Sequence, residues 1–293
     1  MAIHVPDSHP VTSVPINQLF ECRSMEKIIE IDNYKIFVKI EGQGPPLLLL
    51  HSYWGSQILF DKLAIALIEN AQVIRIDLPG HGNSGNPPVG YHFDSFACIL
   101  NELLEKLNIP EKISILGHSM GGYVALAYVA RYPEKITSLV LMHSPVRNAD
   151  TNSIKQRNRE ASLLIKGKKE LLLQMTIPSN FAPGQPAKME EVITLLNHTA
   201  NQTTIDGAIE SINAMNNRTS YLLCLQNALF PILIIVGKYD KVYSAAGQLD
   251  DARLIPKAEV LLLENSGHLG FLEEEEKVLI RLKEFLCHYI ETV

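Results

Sequence analysis

The sequence predicts an α/β fold: a mostly parallel central sheet flanked by helices, with a helical cap inserted after the sixth strand. Three observations predict it. Apolar runs of strand length alternate with amphipathic helical runs from about residue 47. A serine set between glycines joins one of those strands to the next helix, within residues 113–131. Strand patterning then stops near residue 145 and resumes only at Pro231.

Taken in order, residues 1–24 are polar and proline-punctuated and read as a tail. Runs 26–32 and 34–41 read as an opening hairpin, ended by the Gly/Pro-rich stretch 42–46. Strands follow at 47–50, 73–76, 113–116 and 138–142, with helices at about 56–69, 92–108 and 119–132. Strands that are apolar at successive positions are buried on both faces, which is the mark of a parallel sheet covered by helices. Beyond residue 145, Leu163, Leu164, Leu171, Leu172, Leu173, Val192, Leu195 and Leu196 recur at helical spacing, interrupted by Pro178, Pro183 and Pro186. The chain therefore divides into a tail (1–24), a core (25–145 and 229–293) and a helical cap or lid (146–228) at the sheet edge that carries the reactive loops. A last helix, about 271–290, opens on Glu273 to Glu276, acids that suit a helix N-terminus and read as solvated.

Composition narrows the function class. The chain has 293 residues, 46 % of them hydrophobic and 20 % charged, as an ordinary globular enzyme does. A formal net charge of -6 gives no reason to expect a nucleic-acid partner. No apolar run has the length of a membrane span, and the first residues lack the basic and apolar regions of a secretory signal. Cys22, Cys98, Cys224 and Cys287 are widely spaced without a metal pattern, and read as reduced, mostly buried residues. A cytoplasmic location is expected.

The chemistry is concentrated in three loops. Gly117-His118-Ser119-Met120-Gly121 follows a strand and opens a helix, the context of a G-x-S-x-G nucleophile elbow. The turn is tight enough that side chains at the flanking glycines would clash, and it holds Ser119 exposed in a strained conformation. A serine hydroxyl needs a base, and the base needs a group that fixes its tautomer. His268 follows a late strand behind a Ser-Gly turn and reads as that base; His4 and His9 fall in the tail, His118 inside the elbow, and His198 and His288 on helical runs. Asp240 ends the preceding strand and reads as the acid, with Glu264, four residues before His268, as the alternative.

With these loops goes a family resemblance. The order Ser119, Asp240, His268 resembles that of the α/β-hydrolase superfamily, as does the strand and His51-Ser52-Tyr53-Trp54-Gly55 loop, which is similar to a His-Gly-x-x-Gly oxyanion loop. The turn from Asp77 to Gly85 is similar to the family's D-x-P-G-H-G-x-S turn. The resemblance implies oxyanion donors at the backbone N–H groups of Tyr53 and Met120, structural roles for Asp77 and His81, and a cap at the point of the helical insertion. One departure stands out: Ser52 occupies a position that is usually glycine, where a side chain narrows the backbone range. It either tilts the peptide presenting the Tyr53 N–H or lends its own hydroxyl, or the loop is degraded.

Ser52, Trp54 and His143 are expected to line the substrate pocket, His143 with Ser144 at its floor. Met175, Phe181, Met189 and Met215 read either as an apolar acyl pocket or as packing between cap and core, the latter being the plainer reading. Lys155, Arg157, Arg159, Lys166, Lys168 and Lys169 read either as a docking patch for an acyl carrier or a coenzyme A tail, or as a solvated helix face. Together these features predict a serine hydrolase for a small ester or thioester, needing neither cofactor nor metal. Carbon–carbon bond hydrolases and lyases with the same triad, and a ligand-binding member without turnover, are the alternatives.

Overall fold

The computed structural model describes residues 24–109 and 112–290. Among these, eight strands form one sheet: β1 (Met25–Ile31), β2 (Tyr34–Glu41), β3 (Pro46–Leu50), β4 (Gln72–Ile76), β5 (Ile113–His118), β6 (Ile136–Met142), β7 (Ile232–Gly237) and β8 (Ala258–Leu263). Their order is β1-β2-β4-β3-β5-β6-β7-β8. Strands β3 to β8 run parallel, and only β2 is antiparallel to its neighbours β1 and β4. The tail and Cys22 lie outside the described residues.

The crossovers between the first parallel strands are α1 (Asp61–Leu67), α2 (Phe93–Lys106) and α3 (Met120–Arg131). Leu47 and Leu49 of β3 pack on one face of the sheet with α1, while Leu48 and Leu50 pack on the other with α2 and α3. That two-sided burial is why β3, β5 and β7 are buried at every position. Strand β8 differs: it is the sheet edge and is half exposed, with Val260 turned to solvent.

No strand occurs between β6 and β7. The chain there forms α4 (Thr151–Ile165), α5 (Lys169–Thr176), α6 (Glu190–Gln202), α7 (Ile205–Asn217) and α8 (Leu222–Gln226). Asp150 caps α4 by accepting from the N–H groups of Asn152 and Ser153, and Thr204 caps α7 by accepting from Gly207. The core closes with α9 (Ala245–Arg253), α10 (Gly270–Glu273) and α11 (Glu275–Ile290).

Two expected helices are altered, and at both of them side chains reach back to backbone. Residues 57–60 form a 3₁₀ turn before α1, and the Asp77 carboxylate accepts from the Gln57 N–H that opens it at 2.7 Å. The last helix is broken at Glu274 rather than continuous. Glu273 and Glu274 are not solvated charges there. Glu273 accepts from the N–H groups of Gly267, Leu269 and Ala182, and Glu274 from Asn265 N–H and the Ser266 hydroxyl. The acidic run thus clamps the loop that carries His268.

Candidate active site

Ser119 sits between β5 and α3 with φ 53° and ψ -114°, a conformation rare for a residue with a side chain. It is held there from several sides. Its N–H donates to the Met142 carbonyl at 2.9 Å, and its carbonyl accepts from Gly122 N–H and the Ser144 hydroxyl. The flanking glycines leave no alternative. A Cβ on Gly121 would lie 2.0 Å from the Leu50 carbonyl oxygen, and one on Gly117 would lie 2.5 Å from the Gly122 Cα.

His268 bridges serine and acid. Its Nε2 lies 2.9 Å from Ser119 Oγ and its Nδ1 lies 2.9 Å from Asp240 Oδ2. The other Asp240 oxygen accepts from the N–H groups of Val242 and Tyr243 at 2.8 and 2.9 Å. Asp240 can only accept as a carboxylate, so Nδ1 carries the proton and Nε2 is free to take one from Ser119. Burial works against the Asp240 charge, but the facing His268, with His143, outweighs it and holds the carboxyl below its ordinary range. Glu264 does not reach the imidazole; it is exposed and pairs with Lys238 at 2.7 Å.

The loop after β3 forms a turn closed by Gly55 N–H donating to the Ser52 carbonyl at 2.9 Å, with Trp54 in the left-handed region at φ 64°. Ser52 therefore does not prevent the turn. The N–H groups of Tyr53 and Met120 have no protein acceptor among the described residues, so both are free to donate. His51 and Asp77 lock this loop to the turn after β4. His51 donates to the Ser52 carbonyl and accepts from Leu78 N–H, while Asp77 bridges the Gln57 and Asn83 N–H groups. Burial pushes His51 down to about 4 and His81 to about 3, so both are neutral at physiological pH.

Residues 45–275, most of the chain, match the alpha/beta hydrolase fold family. The chain belongs to that family. Among its relatives, Lipase 3 of Moraxella sp. (strain TA144) is 27 % identical over 237 residues, covering 78 % of this chain and 73 % of the relative. Lipase 1 of Psychrobacter immobilis is 26 % identical over 246 residues, covering 83 % and 77 %. A thermophilic esterase from Thermogutta terrifontis shares the fold at TM-score 0.83 and 24 % identity, covering 91 % of this chain and 99 % of the esterase.

In this α/β hydrolase, Ser119 and His268 open into a pocket lined by Ser52, Tyr53 and Trp54 from the core and by residues of α4, α6 and α7 from the insertion. The insertion is bonded to the reactive loops. Asn180 O accepts from His268 N–H at 2.6 Å, and Thr199 Oγ1 donates to the Trp54 carbonyl at 3.0 Å.

Several expectations are corrected. His143 is not in the pocket: it is fully buried behind the acid, where the chain turns sharply at φ 51°. Its Nε2 accepts from Gly270 N–H at 3.1 Å, which puts its proton on Nδ1, 3.6 Å from Asp240 Oδ2. Of the four residues read either as an acyl pocket or as packing, Phe181 and Met189 pack against the core as the plainer reading expects, Met215 lines the pocket, and Met175 is 63 % exposed. The basic cluster is not one surface. Arg157 is buried and lines the pocket, and Lys169 sits over the Trp54 ring at 5.5 Å and bonds the Asn201 and Thr203 carbonyls. Cys98 and Cys224 are half-buried and Cys287 is exposed. Sequence spacing held the signal for Arg157: positions 157, 160, 161 and 164 form an i, i+3, i+4, i+7 stripe, and Leu164 is buried. No helix among the described residues is long and apolar enough to cross a membrane.

Proposed function

We propose that this α/β hydrolase cleaves a small-molecule carboxylic ester or thioester through an acyl-enzyme on Ser119, with residues 146–228 acting as a cap that shapes the pocket. The observation that carries the reading is the hydrogen-bond chain from Ser119 Oγ through His268 to Asp240. Ser119 attacks the acyl carbon and its proton passes to His268 Nε2. The carbonyl oxygen becomes an oxyanion, received by the Tyr53 and Met120 N–H groups at the strained turn. The bond to the leaving oxygen or sulfur then breaks, and His268 returns its proton to that atom. Water enters, loses a proton to His268, and attacks the acyl-serine; collapse releases the acid and restores Ser119. Asp240 keeps the imidazole in the required tautomer and stabilises the imidazolium throughout. No step calls on a metal or cofactor, and the relatives named as lipases and esterases support ester chemistry.

The test is hydrolysis of a p-nitrophenyl ester series, acetyl to decanoyl, by wild type and Ser119→Ala. The expected result is turnover by wild type with a chain-length optimum, and a loss of about 10³-fold or more in kcat for the variant. Equal rates for the two proteins overturn the reading.

A further inference from the structure

The Ser119 pocket contains a buried cation that the acyl-transfer steps do not use. Arg157 of α4 lines it at 7 % exposure. Its Nη2 donates to the Tyr243 hydroxyl at 3.0 Å and its Nη1 to Asn216 Oδ1 at 3.4 Å, both neutral acceptors. A second guanidinium, Arg218, also 7 % exposed, stacks 4.2 Å over the Tyr123 ring and donates only to the carbonyls of Arg147 and Met215. The Tyr123 ring lies 6.3 Å from that of Tyr243. Among the described residues neither guanidinium is paired with a carboxylate, although buried arginines are ordinarily paired because desolvation of a lone charge is costly.

Two further features mark this wall as built for an anion. The Tyr53 hydroxyl is buried without a hydrogen-bond partner, in the same pocket. Burial raises its pKa well above the ordinary value, so it remains a donor. Tyr243 links the cation to the reacting centre: its ring is 5.6 Å from the His268 ring and its hydroxyl holds Arg157. One tyrosine ring thus separates the guanidinium from the base. The one acid lining the pocket among the described residues, Glu160, sits on the next turn of α4 and accepts from Gln156 at 3.4 Å. Burial raises its carboxyl pKa and the Arg157 charge opposes that shift, so Glu160 offsets part of the cation in this wall.

We infer that the pocket selects substrates carrying a carboxylate besides the scissile acyl group, with Arg157 as its anchor and the Tyr53 hydroxyl as a second donor. Arg157 and a carboxylate form paired, charge-assisted hydrogen bonds, and the short span to His268 fits an acyl chain of a few carbons between carboxylate and ester. This inference rests on the serine-hydrolase reading of the same site.

The test compares mono-p-nitrophenyl adipate with p-nitrophenyl hexanoate, which differ by the terminal carboxylate and share a leaving group. Wild type is expected to favour the adipate in kcat/KM by about 10-fold or more. Arg157→Met should lower that ratio by about 10- to 100-fold, Arg157→Lys by less, and Glu160→Gln should raise it. A wild type that favours hexanoate, or an Arg157→Met variant with the ratio unchanged, overturns the inference. If Arg157→Met does not fold, Arg157→Lys and Glu160→Gln carry the comparison. If neither ester turns over, the hydrolase reading has failed, and calorimetric titration with adipate and with hexanoate reads the subsite alone. Adipate binding weakened by Arg157→Met then sustains the anion site, and adipate binding absent or unaffected refutes it.

Discussion

Acid should destabilise this fold through its buried histidines, and His81 isolates the effect. Its ring is fully buried, its Nδ1 donates to the Pro79 carbonyl at 3.0 Å and its Nε2 has no partner. Burial, reinforced by the neighbouring His51 ring at 5.4 Å, lowers its pKa from 6.5 to about 3. The folded value lies below the unfolded one, so the stability it contributes is present above about 6.5 and is lost as pH falls toward 3. Between pH 8 and pH 5 the unfolded chain gains about 2 kcal/mol from protonating this residue, and the folded chain gains almost none. His81→Phe removes that term and one hydrogen bond worth about 1 kcal/mol. The variant should therefore be about 1 kcal/mol less stable than wild type at pH 8 and about 1 kcal/mol more stable at pH 5. Urea unfolding at both pH values reads the difference directly, and the carboxylates common to both proteins cancel. Stability curves that stay parallel from pH 8 to pH 5 would refute the reasoning.

Two more outcomes follow from the same geometry. Gly121→Ala places a methyl against the Leu50 carbonyl, which belongs to β3 and cannot move without the sheet, so a loss of about 3 kcal/mol is expected in thermal or urea unfolding; an unfolding midpoint unchanged from wild type counts against the elbow packing. His143→Phe keeps the ring volume but removes the N–H facing Asp240, so kcat should fall about 10-fold with KM little changed. His143→Gln, which keeps a donor, should recover part of the loss; equal losses in both variants would mean that the ring serves packing alone.

Much of the fold was legible because the parallel strands announce themselves: 47–50, 113–116 and 232–236 are apolar at nearly every position, as burial on two faces demands. The turn at Ser119 was legible because its glycines are steric necessities. What escaped was set by contacts distant in sequence. His143 reads as a pocket residue from its place after β6, and only a left-handed residue at that point turns it behind Asp240. Glu273 and Glu274 look like a solvated helix start, yet they cap the N–H groups of the His268 loop. Arg157 sits in a run of basic residues whose other members mostly face solvent, and the helical stripe it shares with Leu164 is the feature that distinguishes it.

The most direct test of the central claim is intact-mass and peptide mapping after treatment with a fluorophosphonate, in wild type and in His268→Ala. A single adduct on Ser119, formed quickly in wild type and very slowly without the imidazole, is the predicted result. No adduct in wild type, or an adduct on another serine, would contradict a nucleophile activated through His268 and Asp240.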